Sequence, residues 1–281
     1  MGRGAAHGHT AAGATAARGT GLSAYLPRPS RTAPVTKLPT NPPSVPRPSS
    51  PPALLARRSV WVPTLWGWLL LLAACVGVAA VAAHGAYTFL AVEQPLARAD
   101  TLVVEGWLGD HELDQAVKAF RRGHYRRIVT TGGPLDWWGE NPPWETFAER
   151  AADYLKRHGL ADVTIVSVPA PASAQERTFL SAVMVRDWAQ QNGVALRAID
   201  LYSAGTHARR SHLLYRMALG PAVEVGVMAA LPEHLDPSRW WATSAGANSV
   251  LGEMLSLAWT KCCFWPGPPG SHEERWAAPK R

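Results

Sequence analysis

Not one aspartate or glutamate occurs before Glu93, so the chain opens with a region whose charge is entirely positive. Of its 28 Lys and Arg, eight lie in residues 1–58 (Arg3, Arg18, Arg28, Arg31, Lys37, Arg47, Arg57 and Arg58), which leaves 20 cations against 21 anions beyond them. The net charge of +7 therefore belongs to the N-terminal segment. A near-neutral remainder argues against a basic groove for nucleic acid, and no nucleic-acid partner is expected. Cysteine is scarce as well: Cys75, Cys262 and Cys263 are the full set. The adjacent pair is too close to form an ordinary disulfide, and without a spaced Cys/His set no metal site is expected. The chain also has no GxGxxG after a strand, no GxxxxGK followed by Ser or Thr, no GxSxG, no HExxH and no paired CxxC. The common dinucleotide, P-loop, serine-hydrolase and zinc-peptidase readings thus lack their carriers.

What is present begins with Val60–Ala83, VWVPTLWGWLLLLAACVGVAAVAA, a run without a charge. As a helix it would be roughly 36 Å long, against a hydrocarbon core of about 30 Å. It is apolar all round, and Trp61, Trp66 and Trp68 gather at one end, where amphipathic rings favour the headgroup layer. We expect residues 59–86 to hold a transmembrane helix, an uncleaved signal anchor. A cleaved signal peptide ending in the Ala-rich VAAHGA is the rival, but the apolar run and the segment before it are both too long for one. Cations resist translocation, so the Arg57-Arg58 side is expected to stay cytoplasmic and the C-terminal domain to lie outside the plasma (inner) membrane. The lipid bilayer is accordingly the first expected partner.

Residues 1–58 are expected to form a disordered cytoplasmic tail, because ten of the 24 prolines fall within residues 1–52 and few large apolar groups accompany them. Residues 87–99 read as a connector and residues 266–281 as a disordered C-terminal tail. Between them, residues 100–265 alternate. Strands are expected at 100–105, 127–131, 163–168, 196–202 and 223–228, and helices at 110–122, 144–158, 175–191, 207–219 and 245–259. Strand and helix in regular succession predict right-handed crossovers and an α/β fold: a three-layer, Rossmann-like, mainly parallel sheet of about five strands.

In such a sheet, ligands bind beyond the carboxyl ends of the strands. Glu105-Gly106-Trp107 follows the first strand, Thr131-Gly132-Gly133 the second, and Ser203-Ala204-Gly205-Thr206-His207 the fourth. The sharpest group is THARRS: with Thr206 as N-cap, His207 falls in the first turn and shares a face with Arg210, while Arg209 turns away towards solvent. Such a helix end suits a phosphate or carboxylate, with His to move protons and Arg to hold charge. An exposed basic helix end is the plainer alternative. Thr178 can reach the same edge. Glu149, mid-helix, reads on its own as a solvated charge. Asp110-His111-Glu112-Leu113-Asp114 invites a metal reading, but Asp110 reads as a helix cap and the other acids suit the positive first turn. Trp137, Trp138 and Trp144 in PLDWWGENPPW are a lid, a membrane patch or loop packing.

Strung together, these pieces resemble the YdcF/SanA/ElyC family of domains of unknown function. The likeness runs through ADTLVVEG, Gly123-x-Tyr125-x-x-Ile128-Val129 leading to TGGP, Glu149 before DYLKRHGL, RTFLSA and HARRS. The resemblance implies a single-span envelope protein with a polar site built from Glu105, Gly132, Gly133, Glu149, Thr178, His207 and Arg210. In an enzymatic version, a hydrolase or transferase, His207 is the acid–base, Arg210 and the TGG amides hold an anionic small molecule, and Glu149 orients a partner or water. The alternatives are a non-catalytic module for a nucleotide-like ligand such as S-adenosylmethionine, and a structural envelope protein. The sequence identifies no cofactor. It departs from the family pattern at Glu105-Gly106-Trp107, where many members have a glycine-rich turn, so Trp107 is expected to reshape the site.

Overall fold

A computed structural model describes residues 59–135, 143–173 and 176–268. The expected N-terminal tail, Trp137 and Trp138, Gln175 and the C-terminal tail from residue 269 lie outside the described residues.

Helix α1 (Leu65–Leu90) starts where Pro63 ends the extended approach and the Thr64 hydroxyl accepts from Gly67 N at 3.3 Å. It is long and apolar enough to cross a membrane, and its most apolar stretch is entirely unburied. The helix does not end at residue 86: it runs on to Leu90, four residues into the expected connector. The physical reason is packing, because Tyr87 and Leu90 enter a small core with Trp240, Val250 and Leu257, which makes further helical turns favourable. Arg209 is a related correction. Its guanidinium lies 4.1 Å over the Phe89 ring rather than in open solvent.

The connector that follows is pinned to the sheet. Gln94 pairs antiparallel with Val227, Leu96 N donates to Asp200 Oδ1 at 2.9 Å, and Arg98 is ion-paired with Glu224. Tyr125 OH donates to the other Asp200 oxygen at 2.6 Å. Burial pushes the Asp200 carboxyl above its ordinary range against these two lowering hydrogen bonds.

The sheet consists of β1 (Thr101–Glu105), β2 (Arg127–Gly132), β3 (Thr164–Pro169), β4 (Ala198–Ala204) and β5 (Glu224–Ala230), all parallel, in the order β3-β2-β1-β4-β5. The α/β fold is therefore as expected. Helices α2 (Asp110–Arg122) and α3 (Phe147–Arg157) cover one face, where Leu113, Ala116, Ala151 and Leu155 meet Leu102, Val104 and Ile128. Helices α4 (Arg177–Gln191) and α5 (Ala208–Leu219) cover the other, where Phe179, Val183 and Leu214 meet Val103, Val129 and Leu201. The alternation of Leu102, Val103 and Val104 between two cores is the period-2 pattern of a strand buried on both faces. The chain leaves β1 towards β2 and β3, then crosses through α4 to β4. That reversal opens a crevice between the carboxyl ends of β1 and β4.

Helix α6 (Ser244–Cys263) follows a short 3-10 segment at Pro237–Ala242. It packs against the end of α1 and against α5. At its last turn the sulfurs of Cys262 and Cys263 are bonded as a vicinal pair, a contact the sequence spacing did not lead us to expect. Two smaller expectations also change. Asp110 is not a cap: Gly109 holds that position without a side-chain bond, and Asp110 pairs with Arg150 at 2.5 Å. Trp144 precedes α3, which starts at Phe147 rather than at residue 144, and packs back against it, with Nε1 donating to Asp153 Oδ2 at 3.0 Å.

Candidate functional site

The crevice is a cavity of about 1160 Å³ over the ends of β1, β2 and β4. Its floor is Glu105, Thr131, Gly132 and Gly133, its walls the first turns of α4 and α5, and its roof α6. Thus Glu105, Gly132, Gly133, Thr178, His207 and Arg210, all singled out in the sequence, line one space. Glu149 does not.

His207 is the hinge of the arrangement. A 3-10 turn, Gly205–His207, leads into α5 with His207 itself at the N-cap position. Thr206 is not the cap; its hydroxyl lies 2.8 Å from Ser249 Oγ and ties the turn to α6. His207 Nδ1 stands 2.8 Å from Glu253 Oε1, and His207 Nε2 stands 3.3 Å from Thr178 Oγ1. Arg210 Nε donates to Glu253 Oε2 at 2.8 Å and Nη2 to Oε1 at 3.2 Å, so Glu253 is gripped by both residues of the His-x-x-Arg pair. The three side chains are only 13–17 % exposed. Burial pushes the Glu253 carboxyl up, but the hydrogen bonds from His207 and Arg210 and their charges outweigh it and hold the group at about 2. An ionised carboxylate only accepts, so it fixes the imidazole proton on Nδ1 and leaves the Nε2 lone pair facing Thr178. Trp107 lines the cavity and meets the imidazole edge-on, ring centroids 5.0 Å apart.

The pH consequence has a definite sign. A carboxyl held below its unfolded value of about 4.5 contributes stability above that pH and loses it as the pH falls towards about 2. Thermal unfolding between pH 5 and pH 2 is expected to show this loss, on the order of 2–3 kcal/mol. The Glu253→Gln variant should lack that part of the acid dependence, and an identical acid profile in both proteins would contradict the pairing.

Glu105 sits deeper, 2 % exposed, and accepts from Ser203 Oγ at 2.5 Å and Ser211 Oγ at 2.9 Å. Behind it, burial and then the Glu105 charge push the Tyr215 phenol far above its ordinary value, so Tyr215 stays neutral beside Thr131. Glu105 is thus a satisfied carboxylate at the cavity floor.

Glu149 requires a correction. It closes a capping box at the start of α3: its backbone N–H donates to Thr146 Oγ1, and its Oε2 accepts from Thr146 N at 3.0 Å and Glu145 N at 2.8 Å. Those orphan helix amides take up the carboxylate, which leaves it no part in orienting a partner at the cavity. The acid that orients His207 is Glu253, which the sequence reading missed. A signal existed: in the otherwise apolar α6, Ser249, Gly252, Glu253 and Ser256 fall at i, i+3, i+4 and i+7, one face, and all line the cavity.

Glycine is required at one point of the floor, Gly132, and in the turn after β1, at Gly106. Gly132 has φ +151, and a Cβ there would lie 2.7 Å from Phe147 Cβ. A Cβ on Gly106 would lie 2.4 Å from Phe147 O and 2.6 Å from Thr131 O. By contrast, Glu176, the N-cap of α4, is the one non-glycine among the described residues with positive φ, at 39°, and its Oε2 is buried with no hydrogen-bond partner among them. Among the described residues no group of three or more His, Cys, Asp or Glu is arranged to hold a metal ion.

The fold and site define an α/β domain with a Rossmann-like strand order and a roofed crevice at its switch point, carried on an apolar helix long enough to cross a membrane. No protein-family model matches the chain, and no curated protein matches it by sequence.

Proposed function

We propose that this is a single-pass membrane protein whose α/β domain binds a phosphate-bearing small molecule in the crevice and acts on it as a hydrolase or transferase, with His207 as the acid–base group. The observation that carries the reading is the chain Thr178–His207–Glu253, in which a carboxylate orients an imidazole whose second nitrogen faces a hydroxyl inside a cavity. Nε2 accepts the proton of the attacking water or hydroxyl, and Glu253 stabilises the imidazolium that forms. Support for the anion comes from the α4 and α5 N-termini, whose partial positive charge points into the cavity, and from the backbone at Gly133. Arg210 contributes through Nη1, the guanidinium nitrogen for which no hydrogen bond is found among the described residues. The unpartnered Glu176 Oε2 supports a ligand that carries hydroxyl or amino groups beside its phosphate. The resemblance to YdcF-like proteins supports a place in cell-envelope biogenesis and a domain outside the cytoplasm.

A second reading is favoured by the size of the cavity, which exceeds the roughly 300–1,000 Å³ of most small-molecule sites. It has room for a nucleotide-like ligand such as S-adenosylmethionine, held by a non-catalytic module. Calorimetry on the full chain in detergent, with inorganic phosphate, pyrophosphate and S-adenosylmethionine as probes, separates the two. We expect pyrophosphate to bind and Arg210→Ala to weaken it about tenfold, the loss of one charge-assisted contact. Binding of S-adenosylmethionine with no response to either phosphate probe supports the second reading. No binding of any probe, or binding indifferent to Arg210→Ala, removes the anion site.

A further inference from the structure

The outer face of α6 has no polar cover. Leu251, Met254, Leu255 and Trp259 recur at three- and four-residue spacing along one side of the helix, and Leu255 is 73 % exposed. Trp265 stands exposed just beyond. The neighbouring side presents Ser249, Gly252, Glu253 and Ser256 to the cavity, and Leu255 and Trp259 stand at the border between the two, beside Ser256 and Arg210. The only charges on α6 are Glu253, committed to His207 and Arg210, and Lys261 in the last turn. A helix whose exposed side is this apolar is not built to face water.

Chain length says what covers it. The domain grips α1 from Ala83 onward: Trp240 Nε1 donates to Ala83 O at 2.8 Å, the His84 ring lies 4.9 Å from Trp241, and Ala83, Ala86, Tyr87 and Leu90 share a core with Val250 and Leu257 of α6. The part of α1 left free, residues 65–82, is roughly 27 Å long. With the extended Trp61–Thr64 before it, that is just enough for a hydrocarbon core of about 30 Å, with nothing to spare as a stalk. The surface that holds Ala83 therefore stands at the membrane boundary, and α6 is part of that surface.

From this we infer that α6 lies in the interfacial layer of the same bilayer that α1 crosses, with Leu251, Met254, Leu255 and Trp259 towards the acyl chains and its polar side roofing the cavity. The inference rests on the reading of α1 as a membrane span. Trp241 and Trp265 then occupy the headgroup level that amphipathic rings favour. Consequently the site is held against the membrane surface, and its roof is a helix that senses lipid.

The test uses the full chain with Cys75, Cys262 and Cys263 replaced by serine, in phosphatidylcholine–phosphatidylglycerol vesicles containing a doxyl-labelled acyl chain. A bimane fluorophore is attached through Leu255→Cys, Leu251→Cys, Val76→Cys in α1, or Lys118→Cys on the exposed side of α2. Circular dichroism verifies the fold of each variant, and the two α6 positions guard against failure of one. We expect quenching at Leu255 and Leu251 roughly threefold above that at Lys118, beside strong quenching at Val76. Quenching at Val76 but at neither α6 position overturns the placement of α6 and leaves the span intact. Quenching at none of these positions overturns both readings. Cross-linking between copies at Leu255→Cys without lipid quenching assigns the face to a second copy of the chain and also overturns the inference.

Discussion

Replacing His207 with alanine is expected to lower turnover of a phosphate ester by about 10²–10⁴-fold while weakening ligand binding far less. The effect is large because no other described cavity residue combines an acceptor nitrogen facing a hydroxyl with a carboxylate on its far side. The two losses separate because anion binding is assigned to Arg210 and the helix N-termini, not to the imidazole. Glu253→Gln should be nearly as severe, about 10²-fold or more, because an amide no longer fixes the Nδ1–H tautomer or stabilises an imidazolium. Glu149→Gln should leave turnover intact, since that carboxylate serves the α3 capping box. Release of para-nitrophenol from its phosphate ester, with binding measured in parallel, reads all three. Unchanged turnover in His207→Ala, with the ligand still bound, sinks the acid–base role; turnover lost with Glu149→Gln but kept with Glu253→Gln restores the assignment made from sequence.

The largest effect on stability is expected from Gly106→Ala. The new methyl would meet two backbone carbonyl oxygens, Phe147 O at 2.4 Å and Thr131 O at 2.6 Å. Neither is a flexible side chain that can swing aside. Gly106 N also donates to Thr131 O, so the turn after β1 is bonded to the end of β2 and pressed on the first turn of α3. Relief requires parting these elements, at a cost of about 3 kcal/mol or more, a fall in Tm of roughly 6–12 °C. Gly133→Ala is the matched control. Its Cβ would find nothing nearer than Ala170 O at 3.8 Å, an ordinary contact, yet Gly133 lines the cavity. It should unfold near the wild-type temperature and bind ligand less well. Equal Tm values for Gly106→Ala and the wild type would mean that β1 and α3 do not meet as described.

Much of the site was legible because its residues lie where local patterns end. Strands buried on both faces show as DTLVVE and RIVTT, and whatever follows each strand falls on one rim of the sheet. That logic places Glu105, Gly132, Gly133, Thr178, His207 and Arg210 on one rim, and the cavity contains all six. It failed for acids. Glu149 stood in a plausible position, but Thr146 three residues before it completes the Thr-x-x-Glu pattern of a capping box, a local signal that a helix expected to start at residue 144 concealed. Glu253 stood 46 residues from His207, and only the small and polar residues recurring along one side of its helix, Ser249, Gly252 and Ser256, marked that side as facing a site.

By itself the sequence determined the long apolar helix, the alternation of strand and helix, the parallel α/β fold and the glycines of the floor. Each of these follows from interactions between neighbours in the chain or from a periodicity of two or 3.6 residues, which a linear pattern records. Only the tertiary structure decided that α1 continues into the domain, that α6 closes the crevice, and that Glu253 rather than Glu149 faces the imidazole. Those outcomes depend on packing between elements far apart in the chain, which no local pattern records. Glu149 meets free helix amides within its own turn, whereas Glu253 meets donors only after α5 and α6 have packed.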